Sequence, residues 1–251
     1  MRVGLIGAGN MASALARGWG EPVYCTDAVP GKAEALVEEL GGEAAASNAE
    51  LARAADVLFL CHKPDQLEAV ADEVEGNEEG IAVVSILAGV TLDAVRSAYP
   101  RASAVIRIMP NVAVEIGRGV ICWAAESDAH YDVRTLLERV AKLVEVPERL
   151  IEVATAIQGV GPAYVSLFVE AQVDAAVRLG MPPRMAVELA TATAEGSAAL
   201  LAARDFDTLN LRRSVTSPGG VTARGLAALE DGGLRAAFQA AADAAVHGGR
   251  R

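Results

Sequence analysis

Strand-length apolar runs alternate with helix-like segments over the first 150 residues of this 251-residue chain. The runs lie at residues 3–6, 23–26, 56–61, 81–86, 105–108 and 120–123. Most are continuously apolar, as is typical of parallel strands that helices cover on both faces. The alternation therefore predicts a doubly wound, mostly parallel α/β sheet.

The pattern changes near residue 146, after which the sequence contains no convincing strand. Tyr164, Leu167, Phe168, Ala171 and Ala175 fall on one stripe of a predicted helix. We therefore expect two domains, an α/β domain over residues 1–150 and an all-α domain over residues 151–251. The second is too small and alanine-rich to hold a large core alone, which favours a homodimer over packing against the first domain.

Composition excludes several classes of function. The chain carries 22 basic and 33 acidic side chains, a formal net charge of −11, and has no basic tract, so nucleic-acid binding is not expected. Cys25, Cys61 and Cys122 lack metal-ligand or redox spacing, which predicts no metal site and a reducing, cytoplasmic setting. The first strand leaves no room for a signal peptide, and glycines and a proline interrupt residues 153–169, so no membrane span is expected.

A glycine-rich turn joins the first strand to the first helix. Gly7, Gly9 and Ala12 form a G-x-G-x-x-A pattern in the strand–turn–helix context of a dinucleotide pyrophosphate site. Asp27 follows the second strand about 20 residues later, where a carboxylate usually accepts hydrogen bonds from the adenosine ribose. Since it would repel a 2′-phosphate, Asp27 favours NADH over NADPH.

Two further segments carry candidate ligand contacts. His62 and Lys63 close the run at residues 56–61, at the strand edge where cofactors bind in such sheets. A lone loop histidine such as His62 is more often a bystander than a general acid. The residues 217–222 (SPGGVT, here the carboxylate loop) precede a helix, and their backbone N–H groups can bind a small carboxylate.

These segments together resemble the pyrroline-5-carboxylate reductase family. The matching motifs are IGAGNMA (6–12), HKP (62–64), SILAG (85–89), RIMPN (107–111), GVGPAY (159–164) and SPGGVTARGLAALEDGG (217–233). They occur in family order and cover nearly the whole chain. The resemblance implies an N-terminal Rossmann domain, a C-terminal helical dimerisation domain, and reduction of L-1-pyrroline-5-carboxylate to L-proline by NAD(P)H. It favours NADPH as the cofactor, whereas Asp27 favours NADH.

The resemblance also implies residue roles. Cofactor contacts are expected from Gly7, Ala8, Gly9, Asn10, Met11, Asp27, His62, Lys63, Pro64, Ala88, Gly89, Met109, Pro110 and Asn111. Substrate contacts are expected from Thr155, Val160, Gly161, Ser217, Pro218, Gly219, Gly220, Val221 and Thr222. Thr222 is the candidate catalytic residue, near the ring nitrogen of a cyclic imino acid.

Three departures from the family pattern bear on this interpretation. Val160 replaces a serine, His62 replaces a valine, and Asp27 stands where many relatives have serine or a basic residue. Two alternatives therefore stay open: a non-catalytic nucleotide-binding dimer, and another NAD(P)H-dependent imine or hydroxyacid reductase. 3-Hydroxyacid dehydrogenases of this layout use a mid-chain lysine as proton donor, and the last lysine here is Lys142, which counts against hydroxyacid chemistry.

Overall fold

A computed structural model describes residues 1–74, 76–126 and 131–248, which form eight strands and twelve α-helices. The strands are β1 (Val3–Ile6), β2 (Val23–Thr26), β3 (Gly42–Ala44), β4 (Val57–Leu60), β5 (Ala82–Ser85), β6 (Ala104–Pro110), β7 (Gly119–Ala125) and β8 (Ala141–Glu145). The helices are α1 (Asn10–Trp19), α2 (Lys32–Leu40), α3 (Asn48–Ala54), α4 (Leu67–Val74), α5 (Leu92–Ala98), α6 (Tyr131–Glu138), α7 (Ile151–Ala154), α8 (Gly161–Arg178), α9 (Pro183–Ala202), α10 (Thr208–Ser214), α11 (Val221–Asp231) and α12 (Leu234–His247).

All eight strands belong to one sheet, in the order β3-β2-β1-β4-β5-β6-β7-β8. Every neighbouring pair is parallel except β6 and β7, which are antiparallel. The first six strands have the order of a dinucleotide-binding Rossmann sheet. The predicted fold class, a mostly parallel α/β sheet followed by helices, is confirmed.

Helices cover the sheet on both faces. Phe59 of β4 packs with Leu15 of α1 and Leu36 of α2 on one face. Its neighbour Leu58 points the opposite way, into a second core with Val95 of α5. Alternate residues of one strand thus enter two cores, which explains why the central runs are apolar at every position.

The chain divides into two compact units, residues 1–162 and residues 163–251, here the sheet unit and the helical unit. Ile151 lies in a small core of the sheet unit with Met109 and Cys122, so residues 151–162 pack with the sheet. The predicted domain boundary at residue 150 stays a prediction.

The helical unit buries little of its own surface. None of the residues in α8, α10, α11 and α12 is buried, and in α9 the buried residues are Ala186 and Ala190. Leu167 is 65% exposed and Phe168 44% exposed. The predicted stripe is therefore an uncovered apolar surface in one copy of the chain.

The expectation that the chain has no membrane span stays a prediction. The helical run Glu148–Arg178 has 31 residues and contains an 18-residue window with a mean hydropathy of 1.2, although the π turn Thr155–Gly159 and Val160 separate α7 from α8. Pro162 is the second residue of α8, where the missing N–H leaves no helical hydrogen bond unmade. By length and composition this run could cross a membrane, a test that core helices of soluble proteins also pass.

Candidate functional site

The predicted cofactor residues follow parallel strands at one edge of the sheet. Strands β1, β2, β4, β5 and β6 are mutually parallel, so their carboxyl ends lie together. The glycine turn follows β1, Asp27 follows β2, His62 follows β4 and Gly89 follows β5. Strand β6 ends in Met109 and Pro110, followed by Asn111, a group here named the β6 end. This edge is where open α/β sheets bind nucleotides.

The glycine turn has the backbone that its sequence predicts. Gly7 has φ +104°, and a Cβ there would lie 2.7 Å from the Cys61 carbonyl oxygen, so no other residue fits without strain. Gly9 is the N-cap of α1, which therefore has no side-chain cap, and a Cβ on Gly9 would meet no atom within 4 Å. Uncapped N–H groups beside an open glycine fit a pyrophosphate group. Asn10 and Met11 form the first turn of α1.

Asp27 holds this turn in place. Its Oδ2 accepts a hydrogen bond of 2.8 Å from the Ala8 N–H, and its Oδ1 accepts one of 2.8 Å from the Val29 N–H. The carboxylate therefore sits against the turn that would bind the pyrophosphate. Ala8 and Asp27, which the sequence analysis assigned to one cofactor site, are therefore in direct contact.

The segment after β4 contains a half-buried histidine. His62 Nδ1 lies 2.9 Å from the Lys63 carbonyl oxygen, while Nε2 is buried and has no partner among the described residues. Burial lowers the pKa of His62. Lys63 is exposed, and Pro64 begins a 3-10 turn, Pro64–Gln66.

The turn after β5 contains Ala88 and Gly89, both exposed, and Gly89 has φ +75°. At the β6 end, by contrast, Met109 and Asn111 are each only 7% exposed. The Met109 side chain packs with Cys122 and Ile151 rather than lying open.

A π-helical turn, Thr155–Gly159, contains or adjoins three predicted substrate contacts. The Val160 N–H donates to the Thr155 carbonyl oxygen at 3.2 Å, and the Thr155 hydroxyl donates to the Ile151 carbonyl oxygen at 2.7 Å. A Cβ on Gly159 would lie 2.9 Å from Thr155 Cγ2, so any larger residue there would require the Thr155 side chain to shift. Gly161 is open, with no atom within 4 Å of its Cβ position. Single π turns often occur at functional sites.

Gln158 connects the π turn to the β6 end. Its Nε2 donates to the Met109 carbonyl oxygen at 2.8 Å, and Asn111 Nδ2 donates to the Gln158 carbonyl oxygen at 3.1 Å. Sequence reasoning did not identify Gln158 as a site residue. The available signal was an amide side chain in an otherwise uncharged, apolar stretch.

The carboxylate loop lies in the helical unit. Gly219 has φ +67°, the Gly220 N–H donates to the Ser217 carbonyl oxygen at 3.0 Å, and a Cβ on Gly220 would lie 2.3 Å from Ser217 Oγ. Gly220 is the N-cap of α11, which has no side-chain cap. Thr222 is the second residue of α11, two positions after this N-cap.

An arginine closes the carboxylate loop from within α11. Arg224 Nη1 donates to the Gly219 carbonyl oxygen at 2.6 Å. Together with the dipole of an 11-residue helix, this cation makes the loop electropositive. The loop and the cofactor residues lie in different units.

The helical unit also has an open apolar groove of about 450 Å³. Its lining includes Leu167, Phe168 and Phe238, and Tyr164 meets Phe238 edge-on at 6.3 Å between ring centroids. An exposed apolar surface of this kind is typical of a protein–protein interface. Among the described residues, no group of three or more His, Cys, Asp or Glu could hold a metal ion.

Comparison with protein families gives two matches. The family described as pyrroline-5-carboxylate reductase dimerisation matches residues 148–251. The family described as NADP oxidoreductase, coenzyme F420-dependent, matches residues 2–89.

Comparison with individual proteins gives full-length matches. A pyrroline-5-carboxylate reductase of Synechocystis sp. is 35% identical, and the match covers 98% of this chain and 96% of the relative. A pyrroline-5-carboxylate reductase of Methanosarcina acetivorans is 33% identical, and the match covers 94% of this chain and 92% of the relative. A Coxiella burnetii pyrroline-5-carboxylate reductase structure matches with a TM-score of 0.84 at 31% identity, covering 98% and 96%. A Plasmodium falciparum pyrroline carboxylate reductase structure with NADP bound matches with a TM-score of 0.86 at 27% identity, covering 98% and 95%.

Proposed function

Because the chain belongs to the pyrroline-5-carboxylate reductase family, we propose that it reduces L-1-pyrroline-5-carboxylate to L-proline with NADH or NADPH, the last step of proline biosynthesis. The observation that carries this proposal is the carboxylate loop. It combines an uncapped helix start, a glycine with φ +67° and an arginine that donates to the loop backbone. Such a loop suits a small anionic substrate rather than a neutral one.

The glycine turn supports a dinucleotide cofactor. Gly7, Gly9 and the start of α1 would hold its pyrophosphate, while Lys63, Pro64, Ala88, Gly89 and the β6 end would lie along its ribose and nicotinamide. When bound, the nicotinamide supplies the hydride that the imine carbon accepts. The residues of the chain bind and orient both ligands.

Thr222 acts on the substrate ring. We propose that its hydroxyl donates a hydrogen bond to the ring nitrogen or relays a proton from water to it. A cyclic imine of this type can be protonated by water, so no strong protein acid is required. This fits the half-buried His62, whose pKa is lowered by burial. Thr155, Val160 and Gly161 border the substrate; Thr155 does so with its methyl group, because its hydroxyl donates to Ile151.

We further propose a preference for NADH. The Asp27 carboxylate is anchored on the Ala8 N–H by a 2.8 Å hydrogen bond, so it cannot easily turn away from a nearby 2′-phosphate. Replacing Asp27 by serine should raise the ratio of catalytic efficiencies for NADPH over NADH. An unchanged ratio would show that Asp27 does not contact the ribose.

The working form is proposed to be a cytoplasmic homodimer, or a larger assembly built from dimers. A second copy would cover the apolar groove and the exposed stripe on α8, which a single chain leaves open. The match of residues 148–251 to a dimerisation family favours a protein partner over lipid for this surface.

Turnover distinguishes this proposal from the alternatives. Purified, folded protein should oxidise NADH or NADPH when pyrroline-5-carboxylate is added, and it should not oxidise a 3-hydroxyacid with NAD⁺ or NADP⁺. Oxidation of the hydroxyacid alone would support a hydroxyacid reductase. Binding of NADH without any turnover would support a non-catalytic dimer.

A further inference from the structure

Two predicted parts of the site meet at one side chain, Gln158. The β6 end is predicted to line the cofactor, and the π turn with Val160 and Gly161 is predicted to border the substrate. The two segments lie about 50 residues apart in sequence, and Gln158 joins them through hydrogen bonds of 2.8 and 3.1 Å. We propose that Gln158 is a positioning residue, which sets the placement of the π turn against the β6 end and so aligns the reacting groups.

The contact is reciprocal. The Gln158 side chain donates to the backbone of β6, and the Asn111 side chain donates to the backbone of the π turn. Asn111 is itself fixed, because its Oδ1 accepts from the Val120 N–H at 3.2 Å and its own N–H donates to the Val120 carbonyl oxygen at 3.2 Å. The π turn is therefore tied to β6 and β7 together.

The chemistry of the pair leaves little freedom. The Met109 carbonyl oxygen can only accept, so the Gln158 amide must point its NH₂ group toward it. The opposite oxygen, Oε1, is buried without a partner among the described residues. Leaving a buried oxygen unpaired is unfavourable. The Gln158 amide nevertheless keeps its NH₂ group toward Met109, because the flipped amide would place Gln158 Oε1 against the Met109 carbonyl oxygen.

The connection matters to the reaction for a geometric reason. Hydride transfer requires the donor and acceptor carbons at reacting distance, and a displacement of about 1 Å can lower a rate by about a hundredfold. A π turn is a less regular segment than an α-helix, so an outside contact is needed to hold it. Gln158 supplies that contact without touching either ligand.

The inference rests on the proposed function, and its test compares Gln158→Met with a matched control. Methionine is close to glutamine in shape but cannot donate a hydrogen bond. The control is Asn77→Leu, because Asn77 Nδ2 also donates to a carbonyl oxygen, that of Val74 at 2.6 Å, in the turn after α4. Both variants should lower the unfolding temperature by a similar few degrees.

Unlike the control Asn77→Leu, Gln158→Met should lower kcat by about tenfold at saturating substrates, which corresponds to about 1.4 kcal/mol. It should also weaken NADH binding by about threefold, while the Kd of ADP-ribose, which lacks the nicotinamide, stays within twofold of the wild type. Gln158→Asn keeps the amide but is one methylene too short, and should reproduce both effects.

Several results would overturn the inference. One is a Gln158→Met enzyme with kcat and the NADH to ADP-ribose affinity ratio both within twofold of wild type. Another is an equal loss of kcat in Asn77→Leu. If neither Gln158 variant folds while Asn77→Leu does, Gln158 is a folding residue and the inference is wrong. Absence of turnover in the wild type would instead overturn the proposed function, and the affinity ratio would still test Gln158.

Discussion

Separate alanine substitutions at Gly7 and Gly9 should affect different properties. Gly9→Ala should weaken nucleotide binding, and Gly7→Ala should destabilise the fold. At Gly9 the backbone has φ −75°, an alanine Cβ would meet no atom within 4 Å, and the residue caps α1. Alanine restricts the unfolded chain more than glycine does, which raises the free energy of unfolding by about 0.4–1 kcal/mol. It is also a poorer N-cap than glycine, which lowers the free energy of unfolding by a similar amount. We therefore expect the free energy of unfolding of Gly9→Ala to stay within about 1 kcal/mol of wild type.

Nucleotide affinity should nevertheless fall in Gly9→Ala. The added methyl occupies the open space through which a phosphate would approach the start of α1. Loss of one charge-assisted hydrogen bond costs about 1.5–3 kcal/mol. At about 1.4 kcal/mol for each factor of ten, the Kd for NADH should rise roughly tenfold to hundredfold.

Gly7→Ala should have the opposite profile. Its φ of +104° is strained for alanine, and the Cβ would lie 2.7 Å from the Cys61 carbonyl oxygen, which belongs to the backbone and cannot turn aside. Strain of this kind costs about 1–3 kcal/mol, and the overlap adds to it, so the free energy of unfolding should fall by about 3 kcal/mol.

Two measurements on both variants check these expectations. Urea unfolding gives the change in the free energy of unfolding, and titration calorimetry gives the Kd for NADH. A folded Gly9→Ala protein that binds NADH within twofold of wild type would refute the assignment of this turn to the pyrophosphate. A Gly7→Ala protein as stable as wild type would refute the steric argument.

Three further substitutions test other parts of the account. Thr222→Ala should lower kcat/KM about threefold to tenfold, because it removes one neutral hydrogen bond. The control Thr208→Ala, at the start of α10, should leave kcat/KM unchanged, and a Thr222→Ala value equal to wild type would remove Thr222 from the site. Burial lowers the pKa of His62 below its ordinary 6.5, so the neutral ring stabilises the fold above pH 6.5 and this stability is lost as the pH falls below 6.5. The unfolding temperature of His62→Gln should therefore drop less on acidification than that of wild type. Superimposable pH profiles of the two proteins would contradict this. Leu167→Glu should convert the proposed dimer to a folded monomer in light scattering, because it places a charge on the apolar groove. A dimer of unchanged stability would mean that the groove is not the interface.

The central strands could be predicted from sequence because burial on both faces makes them continuously apolar. The run at residues 56–61 became β4, Val57–Leu60, between two other strands. The edge strand β3 and the terminal strand β8 were not predicted. Glu43 of β3 and Glu145 of β8 are exposed, so neither strand has an uninterrupted apolar run.

The local part of the candidate site could also be predicted, because glycine patterns report backbone geometry. Gly7 and Gly219 have positive φ angles at the turns where the sequence placed them. Contacts between distant segments could not be predicted. The hydrogen bonds from Ala8 to Asp27 and from Gln158 to Met109 depend on how the strands assemble, which a single sequence does not specify.

The central claim is that this chain reduces a cyclic imino acid. The most direct measurement is mass spectrometry of the product after incubation with pyrroline-5-carboxylate and NADH deuterated at its transferable position. We expect L-proline carrying one deuterium on the former imine carbon, formed in step with NADH oxidation. Unlabelled product, or no proline from folded protein with either NADH or NADPH, would contradict it.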